Sequence, residues 1–167
     1  MSLYKGEEKG EVPGILPGPP PDGDYYWGSS GLFWGGMIDY SSRTGDDTYD
    51  GTIARAIQFQ RGSDDNFMPA NWTASMGNDD VAIWGLAAVR AASSGFQEPG
   101  NDEPQWATLA QNAFVDLSDN VRRVQNGSCE GALRWQIFMA NNGYNFVSSE
   151  SPPLYNPPRD PHNLCGN

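Results

Sequence analysis

Residues Met76–Ala92, "MGNDDVAIWGLAAVRAA", decide how this sequence is interpreted. Two adjacent carboxylates, Asp79 and Asp80, stand directly before the run Val81–Val89, in which every residue is apolar or small. A helix that is apolar all round is a buried helix. The sequence therefore predicts a buried helix over about 79–93, with two acidic side chains at its N-terminal end.

Three further segments extend this pattern along the chain. The Gly-rich stretch "YYWGSSGLFWGGMIDYSS" (25–42) predicts another helix buried on every face, over about 29–43. The stretches "TGDDTYDGTIARAIQFQR" (44–61) and "QWATLAQNAFVDLSDNVRRV" (105–124) space apolar residues three or four apart, which predicts amphipathic helices. No segment alternates with the period of a strand. Buried and amphipathic helices in alternation predict an all-α toroid of inner and outer helices, whereas a four-helix bundle would show four similar stripes.

The two ends of the chain differ from this helical middle. Residues 1–24 are rich in Gly, Pro and charge, which predicts an extended arm, and residues 25–146 hold the helical domain. Five prolines within 147–167 predict a disordered tail, where the single histidine, His162, is expected to be solvated. The two cysteines, Cys129 and Cys165, could pair with each other, stay free or have lost partners outside this chain.

Composition excludes some classes of partner. The formal net charge of −11 argues against binding to nucleic acid or to an anionic membrane. No apolar run reaches the 18 residues of a membrane span, and the N-terminus lacks the apolar core of a secretory signal. The triplets "NWT" at Asn71 and "NGS" at Asn126 are N-glycosylation acceptors in a secreted chain.

Three acidic doublets have different expected roles. Asp46 or Asp47 is expected to cap a helix, and Asp64–Asp65 to lie solvated in a loop. Asp79–Asp80 could form a first helical turn behind an Asn78 cap. Alternatively, they could lean over one cleft with carboxyl groups about 5 Å apart, the separation in a retaining glycosidase. Repulsion would then keep one of the two protonated near neutral pH.

Several motifs together carry a resemblance to a known family. The series "YYW … GLFWGGMIDY … TGDDTYD … FMPANWT … GNDDVAIWGLAA … PQWATLAQ … LRWQIF … NNGYN" resembles fungal glycoside hydrolase family 76 from about Leu3 to Phe146. The resemblance implies an (α/α)6 barrel, with Asp79 as nucleophile and Asp80 as general acid/base, no cofactor and no metal. The candidates for lining sugar subsites, with core packing as their alternative, are Tyr25, Tyr26, Trp27, Asn78, Arg134, Trp135, Asn141, Asn142 and Tyr144.

The sequence also departs from the family's usual pattern. The family usually has a second Trp and an acidic or amide residue after "YYW", where this chain has Gly28 and Ser29, and a Gly triplet where it has "CEGA" (129–132). Six helix pairs need about twice this length, so we expect about half a barrel in a truncated product.

The resemblance implies a mannan endo-1,6-α-mannosidase or transglycosidase. Its expected substrate is α-1,6-linked mannan or the glycan of a GPI anchor, and its expected place is the fungal cell wall, as a secreted or GPI-anchored monomer. The alternatives are a non-catalytic remnant that binds mannan weakly or not at all, and an acidic helical scaffold that binds protein.

Overall fold

The computed structural model describes residues 4–18, 23, 25–71, 76–125 and 130–137. Four α-helices follow one another along the chain: α1 (Trp27–Thr44), α2 (Asp50–Phe59), α3 (Asn78–Ser94) and α4 (Trp106–Ser118). A short 3-10 helix, Asn120–Arg122, follows α4. The β pairing in these ranges consists of two isolated bridges, Gly77–Gln136 and Arg123–Leu133. The expected all-α class is therefore confirmed.

Helix α3 lies at the centre of the packing. It contacts α1 on one side and α4 on the other, and α2 packs against α1. The prediction that α1 and α3 are buried on every face is wrong for the described part of the chain. Leu32 on α1 and Leu86 on α3 are exposed, because the contacts among the described helices leave part of the surface of each helix uncovered.

Small residues let α1 and α3 approach closely. A Cβ at Gly31 of α1 would lie 2.9 Å from Cγ of Trp84 on α3, closer than real Cβ contacts. The Trp84 ring then packs between two further aromatic rings, with ring centroids 5.0 Å from Trp27 and 5.9 Å from Phe67. The glycines that lower the helix propensity of α1 therefore allow its burial against α3.

Two helix boundaries differ from the prediction. Helix α2 begins at Asp50, after Tyr49, and neither Asp46 nor Asp47 caps it with a side chain. The Asp46 carboxylate instead accepts hydrogen bonds from the Thr48 N–H and hydroxyl and from the Tyr40 hydroxyl. This short-range turn competes with capping for the same oxygens.

Helix α4 ends at Ser118, six residues before the end of the apolar stripe. The Asp119 carboxylate accepts a hydrogen bond from the Val121 N–H at 2.9 Å, which starts the 3-10 helix. Val121 is consequently exposed, and so is Phe114, although both fit the stripe. Val124 is buried, but its N–H donates to the carbonyl of Ala132 rather than within a helix.

The N-terminal segment lies on the helices. The Leu16 N–H donates to Ser30 Oγ at 3.0 Å, and Trp34 Nε1 donates to the Gly14 carbonyl at 2.8 Å. Gln60 Nε2 donates to the Pro13 carbonyl at 2.6 Å. Residues 4–18 thus have no helix or strand but are fixed to α1 and α2. The domain boundaries at 24 and 146 stay predictions, and Cys129, Cys165, His162 and the 147–167 tail lie outside the described residues.

Candidate active site

Asp80 joins the N-terminal ends of α1 and α3. Its Oδ2 accepts a hydrogen bond from the Gly77 N–H at 2.7 Å, and its Oδ1 accepts one from the Gly28 N–H at 3.1 Å. Gly77 is the N-cap residue of α3, so Asn78 is the first helical residue and not the expected cap. Asp80 stabilises the helix end by reaching back to the backbone of the cap residue.

Gly28 permits this contact because it has no side chain. A Cβ at position 28 would overlap Oδ1 of Asp80. Any other residue therefore requires Asp80 to move from the Gly28 N–H. The absence of a side chain at position 28 thus allows the Asp80 carboxylate to reach the Gly28 N–H.

The pKa of Asp80 is raised above the ordinary value of a carboxyl group. Burial is the largest cause, and the neighbouring charge of Asp79 adds to it. The hydrogen bonds from Gly77 and Gly28 act in the opposite direction, because they favour the charged form. Asp80 therefore holds its proton to a higher pH than an exposed aspartate does.

Asp79 is exposed and lies beside Trp135. A Cβ on Gly77 would overlap Asp79 Oδ1 and would lie 2.9 Å from Trp135 Nε1. The carboxylates of Asp79 and Asp80 therefore both lie at Gly77, one over its Cα and one on its N–H. The Trp135 side chain is 38% exposed, so an aromatic ring borders the carboxylate pair.

Asn78 and Arg134, two candidate sugar contacts, are buried within the protein. Asn78 N donates to the Trp135 carbonyl at 2.8 Å, and Asn78 Nδ2 donates to the Arg134 carbonyl at 2.7 Å. Arg134 is 5% exposed, and its Nη2 donates to the carbonyls of Val121 and Ile137. The contacts of Asn78 and Arg134 therefore connect the start of α3, Val121 and the segment 134–137.

The aromatic residues before α1 have different surroundings. Trp27 is buried, and its ring packs on Trp84. Its Nε1 donates to Gln60 Oε1 at 2.9 Å. These surroundings fit core packing, which was the alternative to a sugar contact. Tyr26 is exposed and Tyr25 is half-buried. Asn141, Asn142 and Tyr144 lie outside the described residues, as does Asn126, whereas Asn71 is exposed.

One buried residue near the site was not predicted from the sequence. Arg122 is 4% exposed, and its Nη1 donates to Asn78 Oδ1 at 2.7 Å. Its Nη2 is paired with Asp116. Arg122 and Arg123 are adjacent, and both stand between the last two apolar residues of the segment that predicts a longer α4. No signal in the sequence therefore separates the buried arginine from its neighbour.

The other acidic doublets have no such arrangement. Asp64 is exposed, and Asp65 Oδ1 lies 2.9 Å from Arg61 Nε. In the ranges that the structure describes, no three acidic, Cys or His side chains converge to hold a metal ion. None of the helices in those ranges has the length and apolar character needed to cross a membrane.

An all-α fold with two adjacent carboxylates at one helix end has the features of an α/α-barrel glycoside hydrolase. The sequence model of glycosyl hydrolase family 76 matches residues 1–152. The chain belongs to this family.

Similar proteins are known in yeasts and in another fungus. Mannan endo-1,6-alpha-mannosidase DCW1 of Saccharomyces cerevisiae is 40% identical over 151 residues, which are 90% of this chain and 32% of DCW1. Mannan endo-1,6-alpha-mannosidase DFG5 of the same yeast is 34% identical, over 90% of this chain and 31% of DFG5. The crystal structure of Dfg5 from Chaetomium thermophilum in complex with glucosamine matches with a TM-score of 0.82 at 44% identity, over 87% of this chain and 36% of that one.

The chain thus spans about a third of the length of the relatives that it matches. Its four described α-helices correspond to part of an α/α barrel, nearer to a third than to the expected half.

Proposed function

We propose that this chain carries the catalytic carboxylate pair of a retaining mannan endo-1,6-α-mannosidase or transglycosidase. The observation that carries the proposal is the pair at Gly77: Asp79 is exposed, and Asp80 is half-buried with a raised pKa. A retaining glycosidase needs two neighbouring carboxyl groups in different protonation states. The names of the similar yeast proteins supply the substrate class.

The proposed roles follow from the two environments. The Asp79 carboxylate attacks the anomeric carbon, and the bond from that carbon to the leaving oxygen breaks. Protonated Asp80 gives its proton to the leaving oxygen, which departs as a hydroxyl. A water or a glycan hydroxyl then attacks the mannosyl-Asp79 ester, Asp80 takes its proton, and the Asp79 carboxylate is released.

The surroundings of the pair suit a neutral glycan. Trp135 beside Asp79 and exposed Tyr26 offer apolar ring faces, which stack on sugar rings. An uncharged polymer such as α-1,6-mannan is not repelled by a chain of net charge −11. A GPI-anchor glycan is the second substrate, and the glucosamine in the Chaetomium structure supports a glycan ligand.

The setting in the cell belongs to the same proposal. We place the protein in the fungal cell wall, secreted or held at the plasma membrane, as a monomer that needs no cofactor. The exposure of Asn71 within its "NWT" triplet fits glycosylation in such a compartment.

Azide rescue tests the two roles separately. With an aryl α-1,6-mannotrioside as substrate, Asp79→Ala should lower turnover below detection, and azide should restore it with a product of β configuration. Asp80→Ala should lose about 10²–10⁴-fold, and azide should give a product of α configuration. The measurement is product configuration by NMR, and exchanged configurations would reverse the two assignments.

A non-catalytic remnant is the second candidate, because the chain spans about a third of its relatives' length. The remnant predicts no turnover by the wild-type chain, and no difference between it and Asp79→Ala. That outcome would contradict the enzymatic proposal.

A further inference from the structure

The first turn of α3 is held from outside by the segment that contains residues 134–137. Asn78 N donates to the Trp135 carbonyl, and Asn78 Nδ2 donates to the carbonyls of Arg134 at 2.7 Å and Gln136 at 3.4 Å. Asn78 therefore uses its backbone and its amide group to fix the turn that carries Asp79 and Asp80.

The remaining polar atom of the Asn78 side chain is held by Arg122. Arg122 Nη1 donates to Asn78 Oδ1 at 2.7 Å. The other end of the guanidinium, Nη2, pairs with the Asp116 carboxylate on α4 and contacts Met68 Sδ at 3.1 Å. The planar guanidinium thus spans from α4 to the N-terminal residue of α3, which a lysine ammonium cannot do.

The backbone of the same region closes this network. The Arg134 N–H donates to the Arg122 carbonyl at 2.9 Å, so the two buried arginines lie on paired segments. The side chain of Asn78 has no exposed area and both of its polar atoms are bonded within the protein. A sugar hydroxyl therefore cannot replace these partners without opening the network.

We propose that Arg122 is a positioning residue: anchored on Asp116, it holds Asn78 and thereby sets where the carboxylates of Asp79 and Asp80 stand. It acts through Asn78 and does not touch the sugar. The catalytic part of this inference rests on the proposed function, whereas the positional part does not. Asn78 has a positioning role in it as well, instead of the sugar contact expected from the sequence.

Arg122→Lys is the variant that tests the inference, because lysine keeps the charge beside Asp116 but loses the fork to Asn78. The matched control is Arg123→Lys. Arg123 is the next residue, and its Nη2 donates to the Leu117 carbonyl at 3.0 Å without contacting Asn78. Arg122→Met is the stronger change, and Arg122→Lys decides if the methionine variant does not fold.

The first readout is the titration of the Asp80 carboxyl by NMR, which needs no turnover. The hydrogen bond from the Gly77 N–H keeps the pKa of Asp80 lower than it would be without that bond. A looser first turn weakens this bond, so the pKa of Asp80 should rise in Arg122→Lys. It should stay constant in Arg123→Lys. The second readout is kinetic: kcat should fall about 10- to 100-fold with KM unchanged, because misplaced catalytic groups act on the reaction step.

An unchanged Asp80 titration in folded Arg122→Lys, or an equal change in Arg123→Lys, would overturn the inference. A fall in stability alone, with the same Asp80 pKa and the same kcat, would do so too. If the wild-type chain has no turnover, the proposed function fails, and the titration still decides the role of Arg122.

Discussion

Asp80 accepts hydrogen bonds from two backbone N–H groups, at Gly28 and Gly77, and its pKa is nevertheless raised. Burial and the charge of Asp79 together outweigh the two hydrogen bonds. The folded protein consequently binds a proton at Asp80 in a pH range where the unfolded chain has released it. Proton binding and folding are therefore linked at this residue.

The sign of that linkage gives a prediction for stability. Between the ordinary carboxyl pKa and the raised value, the folded state binds more protons than the unfolded state, so stability falls as pH rises through this window. Asp80→Asn should remove this decline. Urea unfolding of both proteins across the window measures the two slopes, and equal slopes would contradict the raised pKa.

Asp79→Asn provides the control at the same residue scale. Removing the neighbouring charge should lower the pKa of Asp80 and narrow the window of declining stability. In Asp80→Asn, the amide cannot accept hydrogen bonds from both Gly28 and Gly77, so the absolute stability of that variant changes as well. The quantity to compare among the proteins is therefore the slope of stability against pH.

The sequence predicts that the carboxylates of Asp79 and Asp80 lie close together, but it does not predict which side chains surround them. Adjacent aspartates at the start of a buried helix have to lie close together, which helical geometry alone requires. The burial of Asn78 and Arg134 depends on residues more than 40 positions apart in the sequence, such as Arg122 and Asn78. No local spacing could indicate whether these side chains face a sugar or the protein.

Helix α1 supplies a test at the scale of an element, since Gly28 and Gly36 occur in the same helix with opposite surroundings. A Cβ at position 28 would overlap Asp80 Oδ1, whereas nothing lies within 4 Å of a Cβ at position 36. Gly28→Ala should therefore destabilise the fold by roughly 1–3 kcal/mol, as overpacking does, and raise the pKa of Asp80 by breaking its hydrogen bond.

Gly36→Ala is the matched control. Alanine is the better helix former, so this variant should be more stable by about 0.5–1 kcal/mol with an unchanged Asp80 titration. Thermal and urea unfolding measure the stabilities. A Gly28→Ala variant as stable as Gly36→Ala, with normal Asp80 titration, would show that α1 and α3 are not in contact at this point.

The order and type of the elements followed from periodicity, but their ends did not. Continuous small and apolar residues identified α1 and α3, because only close helix packing suits such segments. The starts and stops depended on short-range bonds by Asp46 and Asp119, which redirect the backbone before the apolar pattern changes. Val121 fits the stripe and is exposed for the same reason, because it follows the end of α4.

At the scale of the whole chain, the described helices leave large apolar surfaces uncovered. The chain spans about a third of its relatives' length, and large apolar side chains on α3 and α4, including Leu86 and Phe114, are exposed among the described residues. An inner and an outer helix of a barrel each need a neighbour on both sides. The net charge of −11 opposes association of such surfaces in solution.

Two leucines in adjacent helices test whether the outer face of α3 is open in this chain. Leu86 is 58% exposed, and Leu109 on α4 has no exposed area. Leu86→Ala should change the free energy of unfolding by less than about 0.5 kcal/mol, as surface changes do, whereas Leu109→Ala should cost roughly 2–5 kcal/mol. Urea unfolding at two protein concentrations measures both.

A large cost at Leu86 that grows with concentration would mean that a second copy covers this face, and would contradict a monomer. A large cost independent of concentration would mean that another part of the same chain covers it.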